Sequence, residues 1–196
     1  MTAVAASEGH AAARPQVTIV PVRGLPIVAV ILVGLVVAIA GNWLWALDFY
    51  HVVGGGLWTG IDLFVGFVVG PIIGRMAVPA RIEFSTRFMP MMLLIMPTIV
   101  TMTLASGFQL ARKSGYLDTS YPRHTWIVAS FVVVGCMAVI ALAYLEPANL
   151  AVLFELKKTA PNPLVIQKLM RRFVYTAGIT GVLQVATLVI MTRLAS

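Results

Sequence analysis

Long apolar stretches alternate with short polar connections along the chain, and this pattern predicts five membrane-spanning helices. The apolar runs are Leu25–Leu47, Phe49–Gly74, Phe88–Ala111, Thr125–Leu145 and Phe173–Thr192. Each reaches the roughly 20 residues that an α-helix needs to cross the hydrocarbon core of a bilayer. Because the apolar residues are continuous rather than alternating, we expect an all-α transmembrane bundle and not a β-barrel.

The polar connections divide the chain into a cytoplasmic tail, residues 1–24, and a bundle, residues 25–194. We expect a turn near Asp48 (with Gly41–Asn42 as an earlier alternative), an inner loop Arg75–Arg87, an outer loop Arg112–Arg123 and a long link Glu146–Arg172. Within that link, Pro147 is expected to end the fourth helix and Asn149–Lys158 to form a short interfacial helix. Pro163 suits the first turn of the last helix.

Composition and charge support a membrane protein with a defined orientation. The chain is 60% hydrophobic and 11% charged, which leaves too little polar surface for a soluble domain of 196 residues. With a cytoplasmic N-terminus, 10 of the 14 Lys and Arg residues fall on the inner side and 4 on the outer side. We therefore attribute the net charge of +7 to membrane topology rather than to binding of nucleic acid. The expected location is a bacterial-type inner membrane, with the C-terminus outside.

An alternative interpretation of the first run is a cleaved signal peptide, since Ala38-Ile39-Ala40 resembles a signal-peptidase site. Apolar character continues beyond that site, which favours a retained helix. The second helix begins on the outer side under both interpretations.

His51 is the most informative residue of the second run because ionisable groups within or beside lipid are costly and often functional. Gly55, Trp58 and Asp62 follow it at helical spacing, so the four residues share one stripe. The glycines at 54–56 leave room beside the histidine for a flat ligand such as a porphyrin. Close packing of a neighbouring helix explains the same glycines.

His124 opens the fourth run from the outer side, at a depth similar to that of His51. Two neutral imidazoles on different helices suit the axial positions of haem b, or part of a metal site that binds copper. The alternative is that both are unrelated residues at the headgroup level.

Asp62 is the one charged residue within the five runs. A carboxyl group at this depth is expected to be protonated, paired or in contact with water. It is a candidate for relaying a proton or for binding a cofactor. It is equally a candidate for a structural hydrogen bond to Thr101, Thr103, Gln109 or Gln184.

Methionines crowd the third run, where Met89, Met92 and Met96 share one helix face. Thioethers bind Cu(I), so a copper path is one interpretation, and ordinary core packing is the other. Cys136, the only cysteine, excludes an intrachain disulfide, and we expect it to pack within the fourth helix. The sequence contains no P-loop, dinucleotide fingerprint or zinc-spaced Cys/His set.

From His51 to the C-terminus the chain resembles the HemJ/CopD-like membrane proteins. His51, Trp58, Gly60, Phe64 and Pro71 are similar to the opening helix of that family. Arg87-Phe88-Met89, Met96-Pro97, Thr103 and Gly107 are similar to the basic stretch and the Pro/Thr/Gly helix that follow.

For HemJ-type proteins the resemblance implies a four-helix core, a haem b cofactor with His51 at the ligand position, and oxidation of protoporphyrinogen IX. Those oxidoreductases carry an essential lysine in a later helix, whereas no lysine lies in any of the five runs here. For CopD-type proteins the resemblance implies copper handling.

Three functions are therefore compatible with the sequence. The first is a haem b protein for electron transfer or porphyrin-linked redox chemistry, acting with a membrane redox partner or as a homo-oligomer. The second is a CopD-like protein that handles copper or a small solute. The third is a cofactor-free accessory subunit of a membrane complex.

Overall fold

A computed structural model describes residues 18–196, and within them the secondary structure consists of helices and turns. Five long helices follow one another: α1 (Leu25–Ala40), α2 (Leu44–Arg75), α3 (Val78–Lys113), α4 (His124–Lys157) and α5 (Pro163–Ala195). Each is long and apolar enough to cross a membrane, which confirms the predicted all-α bundle of five helices. Most of the expected tail, residues 1–17, lies outside the described residues.

In α2 and α4 a turn of π-helix precedes the proline through which the helix continues, whereas α3 continues through Pro90 and Pro97 without one. The π turns are Val65–Val69, two residues before Pro71, and Ala141–Leu145, two residues before Pro147. Proline lacks an N–H group and its ring clashes with the carbonyl group four residues earlier. The wider π turn absorbs both effects. The prediction that Pro147 ends the fourth helix is therefore wrong, and most of the expected interfacial helix Asn149–Lys158 is the second half of α4.

The connections are shorter than the sequence pattern predicts. The first break falls at the Gly41–Asn42 alternative, where Asn42 takes a left-handed φ of 53°, and Asp48 lies within α2. The expected loop Arg75–Arg87 is reduced to Met76 and Ala77, because the polar residues after them form the first turns of α3. Pro163 begins α5 as predicted, and the Asn162 side chain caps that helix by accepting hydrogen bonds from the Leu164 and Val165 amides.

The helices α2 to α5 form a four-helix arrangement in which α2 and α4 occupy opposite corners. α2 packs against α3 and α5, while α4 packs against α5 and, through its second half, against α3. α1 lies outside this arrangement, on α3 and α2. The main core includes Met89, Val152, Leu153, Ile166 and Phe173, which are all almost completely buried.

The two ends of the bundle differ in chemistry. The basic end, where α2 and α4 finish and α3 and α5 begin, carries Arg75, Arg81, Arg87, Lys157, Lys158, Lys168, Arg171 and Arg172. The other end, where α2 and α4 begin, carries His51 and His124 and is called the histidine end below. Between the ends many large apolar side chains face outward, among them Phe67, Leu142 and Ile179. Such a continuous apolar exterior suits contact with lipid rather than with water.

Candidate functional site

His51 lies on the face of α2 that packs against α3. Its Nδ1 atom is 2.9 Å from the carbonyl oxygen of Thr103. Its ring lies against Gly107, where an added Cβ would come within 2.5 Å of the ring atoms Cε1 and Nδ1. Gly107 is therefore required for the imidazole to lie this close to the α3 backbone.

The Thr103 contact determines which ring nitrogen of His51 carries the proton. A carbonyl oxygen can only accept a hydrogen bond, so the Nδ1 atom must be the donor. The neutral imidazole then carries its lone pair on Nε2, which has no hydrogen-bond partner among the described residues. Histidines that bind metals commonly donate their second N–H group to a carbonyl in this way, which holds the ring and raises its basicity as a ligand.

The three glycines beside His51 have different surroundings. An added Cβ at Gly54 would collide with Thr103 Oγ1 and crowd Met102, so this position is required for close packing of α2 against α3. At Gly55 the nearest atom would be Thr103 Cγ2 at 3.7 Å, and at Gly56 nothing lies within 4 Å. Helix packing thus explains Gly54, Gly55 leaves space beside the histidine, and Gly56 is exposed on the outer surface of α2.

His124 is the first residue of α4, and its Nδ1 atom is buried and has no hydrogen-bond partner among residues 18–196. An imidazole nitrogen in that position is unsatisfied within the bundle. Asp118, in the loop before α4, lies close enough to interact with it. The pKa of Asp118 is lowered, first by the hydrogen bonds that it accepts from Ser120 and less by the charge of His124. His124 therefore has an acidic neighbour in addition to an unused nitrogen.

Both histidines lie towards the same end of the bundle. Asp62 is hydrogen-bonded to Gln184, and His51 precedes Asp62 by eleven residues, about 16 Å along α2. Leu194 lies a similar distance beyond Gln184 on the antiparallel α5, and its carbonyl group accepts a hydrogen bond from Arg123, the neighbour of His124. The helices that carry the two rings stand at opposite corners, and no hydrogen bond among residues 18–196 joins the rings.

Asp62 lies in the centre of the bundle, 2% exposed, between α2 and α5. Its Oδ2 atom accepts a 2.9 Å hydrogen bond from the Thr180 hydroxyl and a 3.1 Å hydrogen bond from the Gln184 amide. Trp58, one turn earlier on α2, lies beside the same carboxyl group. Gln184 is one of the partners that the sequence suggested. Asp62 thus contacts Trp58 and α5 rather than His51, although His51, Trp58 and Asp62 lie on the same stripe of α2.

The three methionines of α3 lie in the bundle interior. Met89, Met92 and Met96 are all buried in the main apolar core, close to residues such as Met170 and Phe173. Among residues 18–196, no group of three or more His, Cys, Asp or Glu side chains is placed to hold a metal ion. Cys136, which we expected to pack inside, is exposed on α4 and faces outward.

Two polar residues that sequence reasoning did not single out have defined roles. Thr180 supplies the shorter hydrogen bond to Asp62, but hydroxyl groups in apolar helices usually bond their own backbone, so the sequence alone gave no signal. Arg81 is 8% exposed and donates hydrogen bonds to the carbonyl groups of Ile73 and Met76, at the end of α2. Because the sequence pattern placed Arg81 in an expected loop, these hydrogen bonds could not be predicted.

No protein-family model matches this chain, and neither a curated protein nor a solved structure matches it. The site must therefore be interpreted from its own geometry.

Proposed function

We propose that this protein is a membrane haem b protein in which His51 would bind the haem iron at the histidine end of the bundle. The observation that carries the proposal is the hydrogen bond from His51 Nδ1 to the Thr103 carbonyl. It fixes the ring, and it leaves Nε2 as the lone-pair nitrogen that binds iron in haem proteins. The similarity of His51, Trp58 and Gly60 to the HemJ/CopD-like opening helix supports the same proposal.

The remaining residues of the site would contribute in different ways. Gly55 would leave space for a porphyrin edge, and Gly107 allows the imidazole to rest on α3. His124 lies towards the same end of the bundle, and its Nδ1 has no hydrogen-bond partner among the described residues, which makes it the candidate for a second haem ligand. Haem bound there would supply one-electron redox chemistry, and we propose electron transfer or porphyrin-linked oxidation as its use.

Asp62 would hold or pass a proton rather than bind the iron. It lies about 16 Å from His51 along α2, which is too far for direct coordination. The Thr180 hydroxyl, the Gln184 amide and the Trp58 indole surround it in the apolar interior. Carboxyl groups in the interior of membrane bundles often belong to proton relays, which supports this role for Asp62.

We also propose the orientation in which the basic end faces the cytoplasm. Eight Lys and Arg residues lie at that end in α2 to α5, whereas Arg112, Lys113, Arg123 and Arg193 lie at the histidine end. The haem would then lie near the outer face of the membrane. Reporter fusions at the C-terminus test this orientation: alkaline phosphatase is expected to be active there and green fluorescent protein dark, and the reverse pattern would contradict it.

Reconstitution with haem b tests the proposed function and the number of axial ligands. Haem is titrated into the full-length protein in detergent, with His51→Ala and His124→Ala as variants. His10→Ala, in the expected N-terminal tail, removes the third histidine of the chain and is the control. We expect saturation at one haem per chain for the parent and for His10→Ala, and no saturable binding for His51→Ala. A changed spectrum in His124→Ala would identify it as the second ligand. Equal binding by His51→Ala and His10→Ala would refute the proposal.

A further inference from the structure

A cavity of about 330 Å³ opens at the basic end, between α2 and α5. Gly66, Gly70 and Gly74 belong to its α2 wall. α5 packs closely against Gly66 and Gly70, whereas Gly74 faces open space at the basic end. The polar part of the lining consists of Gln167, Arg171 and Tyr175 from α5 and Arg81 from the first turns of α3.

Arg81 is a buried guanidinium whose hydrogen-bonding capacity is only partly used. Its Nε atom donates to the Ile73 carbonyl at 3.2 Å, and its Nη2 atom donates to the carbonyls of Gly74 and Met76 at 3.4 and 3.1 Å. These bonds satisfy carbonyl groups at the end of α2 that have no partner within the helix, and the positive charge of Arg81 offsets the partial negative charge of that helix end. Arginine has five N–H groups, so the two on Nη1 remain, and they have no acceptor among the described residues.

Arg171 contributes a second positive charge to the same cavity. Its Cζ atom lies 5.6 Å from the centre of the Tyr175 ring, so a cation–π contact holds the side chain beside the opening. Its sequence neighbour Arg172 points elsewhere, since it lies over the Tyr144 ring of α4 at 5.2 Å. Arg171 and Arg172 therefore lie on different faces of α5.

No carboxylate balances the two charges of the cavity. The lining residues include neither aspartate nor glutamate. In the part of the chain that the structure describes, the two ion pairs are Arg87 with Glu83 and Lys158 with Glu155, and neither involves a cavity residue. A buried arginine is costly unless its charge is compensated, and the carbonyl groups at the end of α2 use only part of the hydrogen-bonding capacity of Arg81. The cavity is thus electrostatically suited to an anionic group such as a phosphate.

An apolar groove continues from this cavity along the outer surface of α2 and α5, towards the middle of their length. It has a volume of about 490 Å³ and shares Gly66, Val174 and Tyr175 with the cavity. Its other walls are apolar or glycine, and they extend to Val182 and Leu183 on α5. From Arg171 to Val182 the distance along the helix is about 16 Å, close to half the thickness of a hydrocarbon core of about 30 Å.

We propose that the cavity and the groove together bind one anionic phospholipid, with its phosphate between Arg81 and Arg171 and an acyl chain along the groove. A basic pocket between helices at one face of a membrane is suited to a charged headgroup. The continuous apolar groove favours a lipid over free phosphate, because inorganic phosphate would leave the groove unfilled. The proposal does not rest on haem binding, since the groove and His51 belong to different parts of the bundle.

The proposal is tested by native mass spectrometry of the full-length protein, without added haem, during titration with phosphatidylglycerol. Phosphatidylcholine serves as the zwitterionic comparison. We expect Arg171→Gln to weaken phosphatidylglycerol binding about fivefold, which corresponds to the loss of one basic side chain near a membrane surface. The matched control is Arg172→Gln, which makes the same charge change one residue later and is expected to alter binding less than twofold.

A second variant tests the cavity without changing its charge. An added Cβ at Gly74 meets nothing within 4 Å, so Gly74→Leu fills the cavity with little strain on the fold. We expect it to abolish the one-lipid adduct, while its circular dichroism spectrum remains that of the parent. Arg171→Lys, which retains the charge, is expected to recover part of the affinity lost in Arg171→Gln.

Three results would overturn the proposal. The first is equal weakening by Arg171→Gln and Arg172→Gln, which would indicate general attraction to the basic end. The second is unchanged lipid binding in Gly74→Leu. The third is displacement of phosphatidylglycerol by millimolar inorganic phosphate, which would assign the cavity to free phosphate.

Discussion

The Thr180 hydroxyl donates a 2.9 Å hydrogen bond to Oδ2 of Asp62 and so joins α5 to α2 in the centre of the bundle. The two residues are 118 positions apart in the sequence. In an apolar interior a carboxyl group that loses a donor has no water to replace it, so this contact should contribute measurably to stability.

Thr180→Val is expected to lower the free energy of unfolding by about 1–3 kcal/mol, because it leaves Asp62 with one donor fewer. The matched control is Thr176→Val, one turn earlier on α5, where the hydroxyl bonds only the Arg172 carbonyl of its own helix. That control should change stability by less than about 0.5 kcal/mol. Unfolding in detergent measures both, and equal stabilities of the two variants would mean that the Asp62 contact is unimportant.

Gly107→Ala should displace the His51 ring, since the new Cβ would lie within 2.5 Å of Nδ1 and Cε1. We expect haem affinity to fall at least tenfold, because the imidazole loses both its place on α3 and its bond to Thr103. Gly56→Ala is the control: its Cβ meets nothing within 4 Å, and its haem affinity should match the parent. If Gly107→Ala binds haem as tightly as Gly56→Ala, His51 is not the ligand.

The existence of the five helices could be predicted because each apolar run exceeds the length that a bilayer requires. Their ends could not, since a proline normally stops a helix and the π turns before Pro71 and Pro147 become visible only in the structure. The apolar runs also end before the helices do, because polar residues at the basic end continue the same helices, as Arg81 does in α3.

The site could be predicted only in part. The stripe of α2 correctly places His51 and Asp62 on faces that contact other helices, since periodicity alone determines such faces. The partners Thr103, Gly107 and Thr180 depend on which helices are neighbours, and helix order cannot be derived from one sequence. For the same reason, the sequence did not reveal that α2 and α4 stand at opposite corners.

Gly66→Ala is expected to destabilise the crossing of α2 and α5, because the added Cβ would come within 2.5 Å of the Gly178 Cα atom. Backbone atoms cannot move aside as a flexible side chain can, so we expect a loss of about 1–3 kcal/mol. Gly60→Ala adds a methyl group to the same helix where nothing lies within 4 Å, and it should be neutral or slightly stabilising. Thermal unfolding compares them, and equal melting temperatures would contradict the close crossing.

Replacing Met89, Met92 and Met96 together by leucine distinguishes packing from copper binding. All three are buried in the apolar core, and Met-to-Leu changes conserve volume, so each should cost less than about 1.5 kcal/mol. We expect the triple variant to fold and to retain the metal and haem content of the parent. Loss of bound Cu(I) in this variant, measured by elemental analysis, would instead favour the CopD-like alternative.

The most direct test of the central claim is the visible absorption spectrum of the full-length protein as isolated from membranes, recorded oxidised and reduced. The account predicts a Soret band in the parent and in His10→Ala that is absent from a folded His51→Ala variant. A Soret band of equal intensity in His51→Ala, or a colourless parent protein that stays colourless after haem is supplied, would contradict it.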